Sequence, residues 1–143
     1  MLFRFLLLLN LLMLPPALPA SAQSAPSLEA TLKAARWRQR VLLVCAPTAA
    51  DAQLRRQRAL LTAARSGLTE RDLLVRELLL PDLSAADRQY LQRLGAGSAA
   101  FQVLLIGKDG GVKRRDTAPV KPETLFGTID QMPMRRQEMK GEK

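Results

Sequence analysis

The sequence predicts an α/β domain built on one mixed sheet with helices on both faces. Three observations lead there. Two strand-like runs, the apolar Val41–Ala46 and the Leu- and Val-rich Asp72–Leu80, flank an amphipathic basic stretch, the pattern of a βαβ unit. A third apolar run, Phe101–Ile106, meets the turn Lys108-Asp109-Gly110-Gly111 and a short fourth strand, which together read as a hairpin. Pro122 then opens a closing helix.

The elements follow in order. Gln23–Pro26 is a flexible start, and Ser27–Arg38 a short helix or turn with Leu28, Leu32 and Ala35 on one side. Val41-Leu-Leu-Val-Cys-Ala46 has no polar residue, as expected of a strand covered on both faces, and Pro47 ends it. Asp51 is a helix N-cap and Gly67 a helix stop; Leu54, Leu61 and Ala64 face inward between them. Pro81 breaks the second strand. Ser84 with Asp87 three residues on resembles a capping box, opening a helix that ends at Gly95. The fourth strand runs from Val112 to about Arg115. The last helix carries Leu125, Phe126, Ile129 and Met132, and Pro133 closes it; Met134–Lys143 is a charged tail. Trp37, Tyr90, Phe101 and Phe126 are expected in the core or at its rim. This order is that of a thioredoxin-like domain.

The chain begins as an export signal does. Arg4 supplies a basic start, Phe5–Leu14 an apolar run broken only by Asn10, and Ala20-Ser-Ala22 a small-x-small site. Cleavage is expected after Ala22, which places the protein in the periplasm or outside the cell. That divides the chain into a signal peptide (1–22), a leader (23–34), a thioredoxin-like domain (35–139) and a charged end (140–143). No second long apolar stretch follows, so no membrane span is expected after cleavage.

Composition excludes much chemistry. The 143 residues hold no histidine and one cysteine, Cys45. This removes the commonest general base and metal ligand, any internal disulfide and any CxxC pair. No cofactor or metal is expected. The net charge is +9. Its bases cluster at Arg36/Arg38/Arg40, Arg55/Arg56/Arg58, Lys113/Arg114/Arg115 and Arg135/Arg136. Guanidinium groups pair bidentately with phosphate or carboxylate, so Arg55, Arg56, Arg58, Lys113, Arg114, Arg115, Arg135 and Arg136 form a candidate surface for an anionic partner. Without interleaved aromatics for base stacking, specific nucleic-acid binding is not expected.

Three stretches resemble the domain-of-unknown-function family 4174. They are Trp37-Arg-Gln-Arg-Val-Leu-Leu-Val-Cys-Ala-Pro47, Leu104-Leu-Ile-Gly-Lys-Asp-Gly-Gly-Val-Lys113 and Thr128-Ile-Asp-Gln-Met-Pro-Met-Arg-Arg-Gln-Glu-Met139. The likeness runs from about Ala35 to Met139, and its last piece is the most specific. It implies a thioredoxin- or peroxiredoxin-like fold, with related domains in animal extracellular-matrix proteins, and supplies no catalytic residue. One departure is visible: the strand end is more usually Phe-Ala-Pro, where this chain has Cys45-Ala-Pro47.

The positions of a thioredoxin CxxC fall near Ala50 and Gln53, and Ser98-Ala-Ala100 lacks the proline such folds place before the third strand. A peroxidatic cysteine has Thr or Ser three positions earlier, where this chain has Leu42. Cys45 therefore reads as an inert core thiol, with a reactive thiol as the alternative. Gly95-Ala-Gly-Ser-Ala-Ala100 follows a helix and precedes a strand, the reverse of a dinucleotide fingerprint. Asp109 and Asp116 lack the further oxygens a calcium site needs. The segment Ile129–Met139 is either a docking segment that closes the core or a partner-binding strip. The sequence thus reads as an exported, non-enzymatic binding module of the cell envelope, its partner an envelope protein or an anionic polymer. The alternative is a one-cysteine thiol oxidoreductase or peroxide sensor using Cys45.

Overall fold

A computed structural model describes residues 25–142. The signal peptide and its cleavage after Ala22 lie outside the described residues. Strand β1 (Arg40–Ala46) is buried along its whole length, as its unbroken apolar run requires. It pairs in parallel with β2 (Leu73–Leu79) and antiparallel with β3 (Gln102–Ile106), which continues antiparallel to β4 (Val112–Asp116). The sheet order is β2-β1-β3-β4. This is the thioredoxin-like α/β arrangement.

Among the described residues five of the six α-helices cover the two faces of the sheet. Alternation along β1 assigns its side chains. Leu42, Val44 and Ala46 pack with Leu54 and Leu61 of α2 (Ala52–Ala63), Leu68 of α3 (Arg65–Glu70), and Leu125 and Ile129 of α5 (Pro122–Asp130). Val41, Leu43 and Cys45 pack on the other side with Leu28 and Leu32 of α1 (Leu28–Ala35) and Leu91 of α4 (Ala85–Arg93). Helix α1 lies mostly within the 23–34 leader of the sequence reading and contributes three buried residues to this second core.

Local signals explain most boundaries. Asp51 caps α2 by accepting from Leu54 N at 2.9 Å. Gly95, at φ 82°, stops α4, with Ala96 N donating to Leu91 O and Gly95 N to Gln92 O. This is the paired C-terminal bonding that a left-handed glycine permits. The loop between β3 and β4 closes with Gly107 N donating to Gly111 O at 2.9 Å, and Gly110 takes the left-handed conformation at φ 85°.

Four expectations are corrected. Gly67 does not stop a helix. Helix α2 ends at Ala63, and Gly67 lies inside α3 with the Phe126 ring so near that a β-carbon would meet it at 2.6 Å. Pro133 does not end regular structure. Helix α5 stops at Asp130, and Pro133 opens a further helix, α6 (Pro133–Gly141), because its missing N–H costs nothing in a first turn. The presumed charged tail is therefore largely helical. Trp37 is neither core nor rim: it is 60% exposed. The Ser84–Asp87 capping box forms by half. Ser84 Oγ accepts from Asp87 N, but the Asp87 carboxylate accepts from Leu28 N at 2.9 Å and caps α1 instead.

That cross-helix cap holds α1 to α4. Replacing Asp87→Ala removes the acceptor of an orphan helix N–H, and urea unfolding is expected to show a loss of about 1 kcal/mol. Asp87→Asn, which keeps an acceptor oxygen, should recover most of it.

Candidate functional site

In a redox-active domain of this fold, chemistry gathers where β1 runs into α2. Here that junction holds Pro47, Ala50, Asp51 and Gln53. The Asp51 carboxylate occupies the helix N-terminus, whose dipole would otherwise stabilise a thiolate. Cys45 lies two residues before Pro47, 1% exposed among Leu28, Leu43, Leu78 and Leu104. Burial pushes its thiol up to about 11, the opposite of the lowered value that thiol catalysis requires. In the native protein Cys45 should stay silent to an aromatic disulfide reagent from pH 5 to 9 and react only on unfolding.

The basic residues singled out from sequence fall on separate elements. Arg55 and Arg56 are exposed on α2 and have no carboxylate within ion-pair distance among the described residues. Their neighbour Arg58 grips Glu77 of β2, with Nη2 donating to Oε2 at 2.6 Å. On β4, at the opposite sheet edge, Lys113 pairs with Asp109 at 2.7 Å and Arg114 with Asp116 at 2.7 Å. Arg115 donates to the Leu94 carbonyl at 2.9 Å. On α6, Arg136 is exposed while Arg135 is 1% exposed and wholly engaged. Arg40, grouped in sequence with Arg36 and Arg38, is fully buried.

The buried arginines reveal what the family-like stretches build together. Arg40 opens β1, Lys108 follows β3, and Asp130, Arg135 and Glu138 belong to α5 and α6. All meet at the end of the sheet opposite Pro47. Glu138 accepts from Arg40 Nη1 and Nη2 at 3.3 and 3.2 Å and from Lys108 Nζ at 2.7 Å. Lys108 also reaches Asp72 at 2.8 Å, and Arg40 Nη1 donates to the Arg71 carbonyl at 2.9 Å. Asp130 is held by Arg71 at 2.8 Å, and Arg135 pairs with Glu70 at 2.8 Å. Beside them Arg40, Lys108, Lys113, Met132 and Met134 line a cavity of about 120 Å³.

Each charge in this cluster has an opposite neighbour, so it acts as a clasp for α6 and offers little free charge to a ligand. Arg71 holds the Asp130 carboxyl below its ordinary range against opposing burial, with Arg135 adding to the effect. For Glu138 burial acts upward, but the bonds from Lys108 and Arg40 outweigh it and the net shift is downward. Sequence reasoning missed Glu138 and Asp130 as partners. The available signal was the spacing of Arg135 and Glu138, one helical turn apart behind a proline suited to a helix start.

Carboxylates with lowered native pKa values stabilise above their unfolded pKa, and the gain is lost as pH falls through the lower native values. Melting temperature is therefore expected to be flat from pH 7 to about 5 and to drop below about 4. Glu138→Gln should cost about 2 kcal/mol at pH 7, less than a fully enclosed pair because the Glu138 side chain is 24% exposed, and should flatten the acid limb.

Fold and junction together define a thioredoxin-like domain without the dithiol of a redox enzyme. The chain belongs to the family described as Domain of unknown function (DUF4174), which matches residues 31–138. It is similar to the Sushi repeat-containing protein SRPX of Homo sapiens, 32% identical over 116 residues, which cover 71% of this chain and 25% of that protein. The rat protein of that name is also 32% identical, and the mouse Sushi-repeat-containing protein SRPX 31%, over the same length and shares. The chain thus spans about a quarter of the length of these relatives. Among the described residues no helix is long and apolar enough to cross a membrane.

Proposed function

We propose that the protein is an exported, non-enzymatic binding module that meets an anionic partner in the periplasm or outside the cell. The observation that carries this reading is the state of Cys45. The chain's one thiol is buried and held protonated, and no histidine is present to activate it. Signal-like residues 1–22 support export. A domain that matches one quarter of a repeat-containing protein suits the role of a module used in combination.

The partner's charge follows from the excess of bases. With 22 Lys and Arg against 13 Asp and Glu, the molecule draws anions by its long-range field. Arg55 and Arg56 are the best-placed contacts of the predicted surface, since each is exposed with no internal carboxylate to displace. Arg136 adds a third on α6. Arg58, Lys113 and Arg114 would have to exchange an existing partner, and Arg135 is committed to the clasp.

Binding to immobilised heparin tests the reading. Retention should fall steeply with salt, as expected when arginines displace counterions. The double variant Arg55→Ala/Arg56→Ala should elute at clearly lower salt, and Lys113→Ala/Arg114→Ala should shift it less. Absence of retention at low ionic strength overturns the proposal.

A further inference from the structure

A strained tryptophan and the groove beside it take no part in the clasp or the α2 face. Trp37 is the one exposed large hydrophobic residue among the described residues. Its backbone sits at φ 65°, a conformation that bulky side chains rarely adopt. The position is pinned by Trp37 N donating to the Lys108 carbonyl at 2.6 Å. The chain carries this strain and still leaves the indole in water, so neither packing nor backbone preference accounts for the ring.

Arg36 connects the ring to a groove. Its guanidinium carbon lies 5.3 Å from the Trp37 ring centroid. Its stem lies beside Gly110, where a β-carbon would be in ordinary contact with Arg36 Nε at 3.6 Å. The groove, about 500 Å³, runs between α1, α4 and the hairpin tip, lined by Glu29, Lys33, Arg36, Tyr90 and Asp109. Glu29 faces Arg93 at 3.7 Å, and Asp109 holds Lys113 at 2.7 Å. Lys33 and Arg36 have no carboxylate within 4.0 Å among the described residues. The groove therefore offers two unneutralised cations, two carboxylates with acceptor capacity to spare, and the Tyr90 ring in its wall, and Arg36 links it to the Trp37 ring outside.

We infer that this groove binds an acidic sugar unit, the uronate-type residue of an oligosaccharide. The chemistry matches group by group. The Tyr90 ring in the groove wall takes the apolar C–H face of a pyranose ring. Arg36 and Lys33 take the sugar's carboxylate, for which guanidinium is the stronger, bidentate partner. Glu29 and Asp109 accept from its hydroxyls, since ionised carboxylates are acceptors only. An acidic peptide would set its carboxylates against Glu29 and Asp109, and a neutral sugar would leave Lys33 and Arg36 unused. The groove has the size of an ordinary small-ligand site. The inference rests on the anionic-partner reading and adds the α1–hairpin groove as a sugar subsite separate from the α2 face.

Trp37 is the chain's only tryptophan, and the Arg36 guanidinium lies over its ring, so its fluorescence reports engagement of Arg36 by a ligand. The full chain is titrated at low ionic strength with tetragalacturonate, maltotetraose and tetraglutamate. The expected result is a saturable emission change with tetragalacturonate, half-complete below about 1 mM, and none with the other two. Arg36→Ala should weaken it by about tenfold or more, and Lys33→Ala should also weaken it. No saturable change with tetragalacturonate overturns the inference even if heparin retention persists. A response to tetraglutamate of equal strength overturns the sugar assignment in favour of a peptide. Dependence on Arg55 and Arg56 in place of Arg36 overturns the groove.

Discussion

Arg40 begins a strand that the fold buries on both faces, and a guanidinium so placed is tolerable only with its counter-charge. Glu138 supplies that charge from 98 residues further along the chain. The same carboxylate receives Lys108 from the hairpin, so one side chain ties β1, the β3–β4 loop and α6 together. Around it Arg71, Asp130, Glu70 and Arg135 extend the linkage to α3 and α5. The end of the sheet that other folds leave to loops is thereby closed by a charged helix with a single buried residue, Arg135. Apolar packing alone would not hold α6, since its face toward the body is made of charge.

The two ends of the sheet differ accordingly. At the β1–α2 junction stand Ala50, Asp51 and Gln53, none of them able to do thiol chemistry, and the Asp51 carboxylate satisfies the helix terminus. The remaining thiol has become a packing atom in the second core. Buried Gln57 carries a comparable structural duty on the other face: its amide exchanges hydrogen bonds with both backbone groups of Val120, at 3.0 and 2.8 Å, and fixes the entry to α5. Most polar groups inside this domain fasten elements to one another; among the described residues Thr31 Oγ1 and Arg40 Nε are buried without a hydrogen-bond partner, and the unpaired bases are on the outside.

The outside is accordingly where recognition is sought. Basic residues that looked equivalent in sequence divide into clasp members, internally paired surface residues and a few unpaired ones. Arg55 and Arg56 on α2, and Lys33 and Arg36 beside Trp37, belong to the last group. An exposed indole on a left-handed backbone is unusual enough to mark its neighbourhood as a place shaped for contact.

Much of the architecture was legible in the chain. The unbroken run Val41–Ala46 announced a central strand, Lys108–Gly111 a hairpin, Gly95 a helix stop, and Asp51 and Ser84 helix starts, because each rests on backbone geometry or periodicity within a few residues. The absence of histidine and of a second cysteine excluded dithiol chemistry outright. What the sequence left open concerns partners distant along the chain. Whether Gly67 ends a helix or admits Phe126, whether Asp87 caps its own helix or α1, whether Pro133 closes one helix or opens the next, and which arginines are free all depend on what stands opposite in space. Local rules count residues along the chain, whereas burial and ion pairing are settled by neighbours up to 98 positions away, and only the folded structure brings those together.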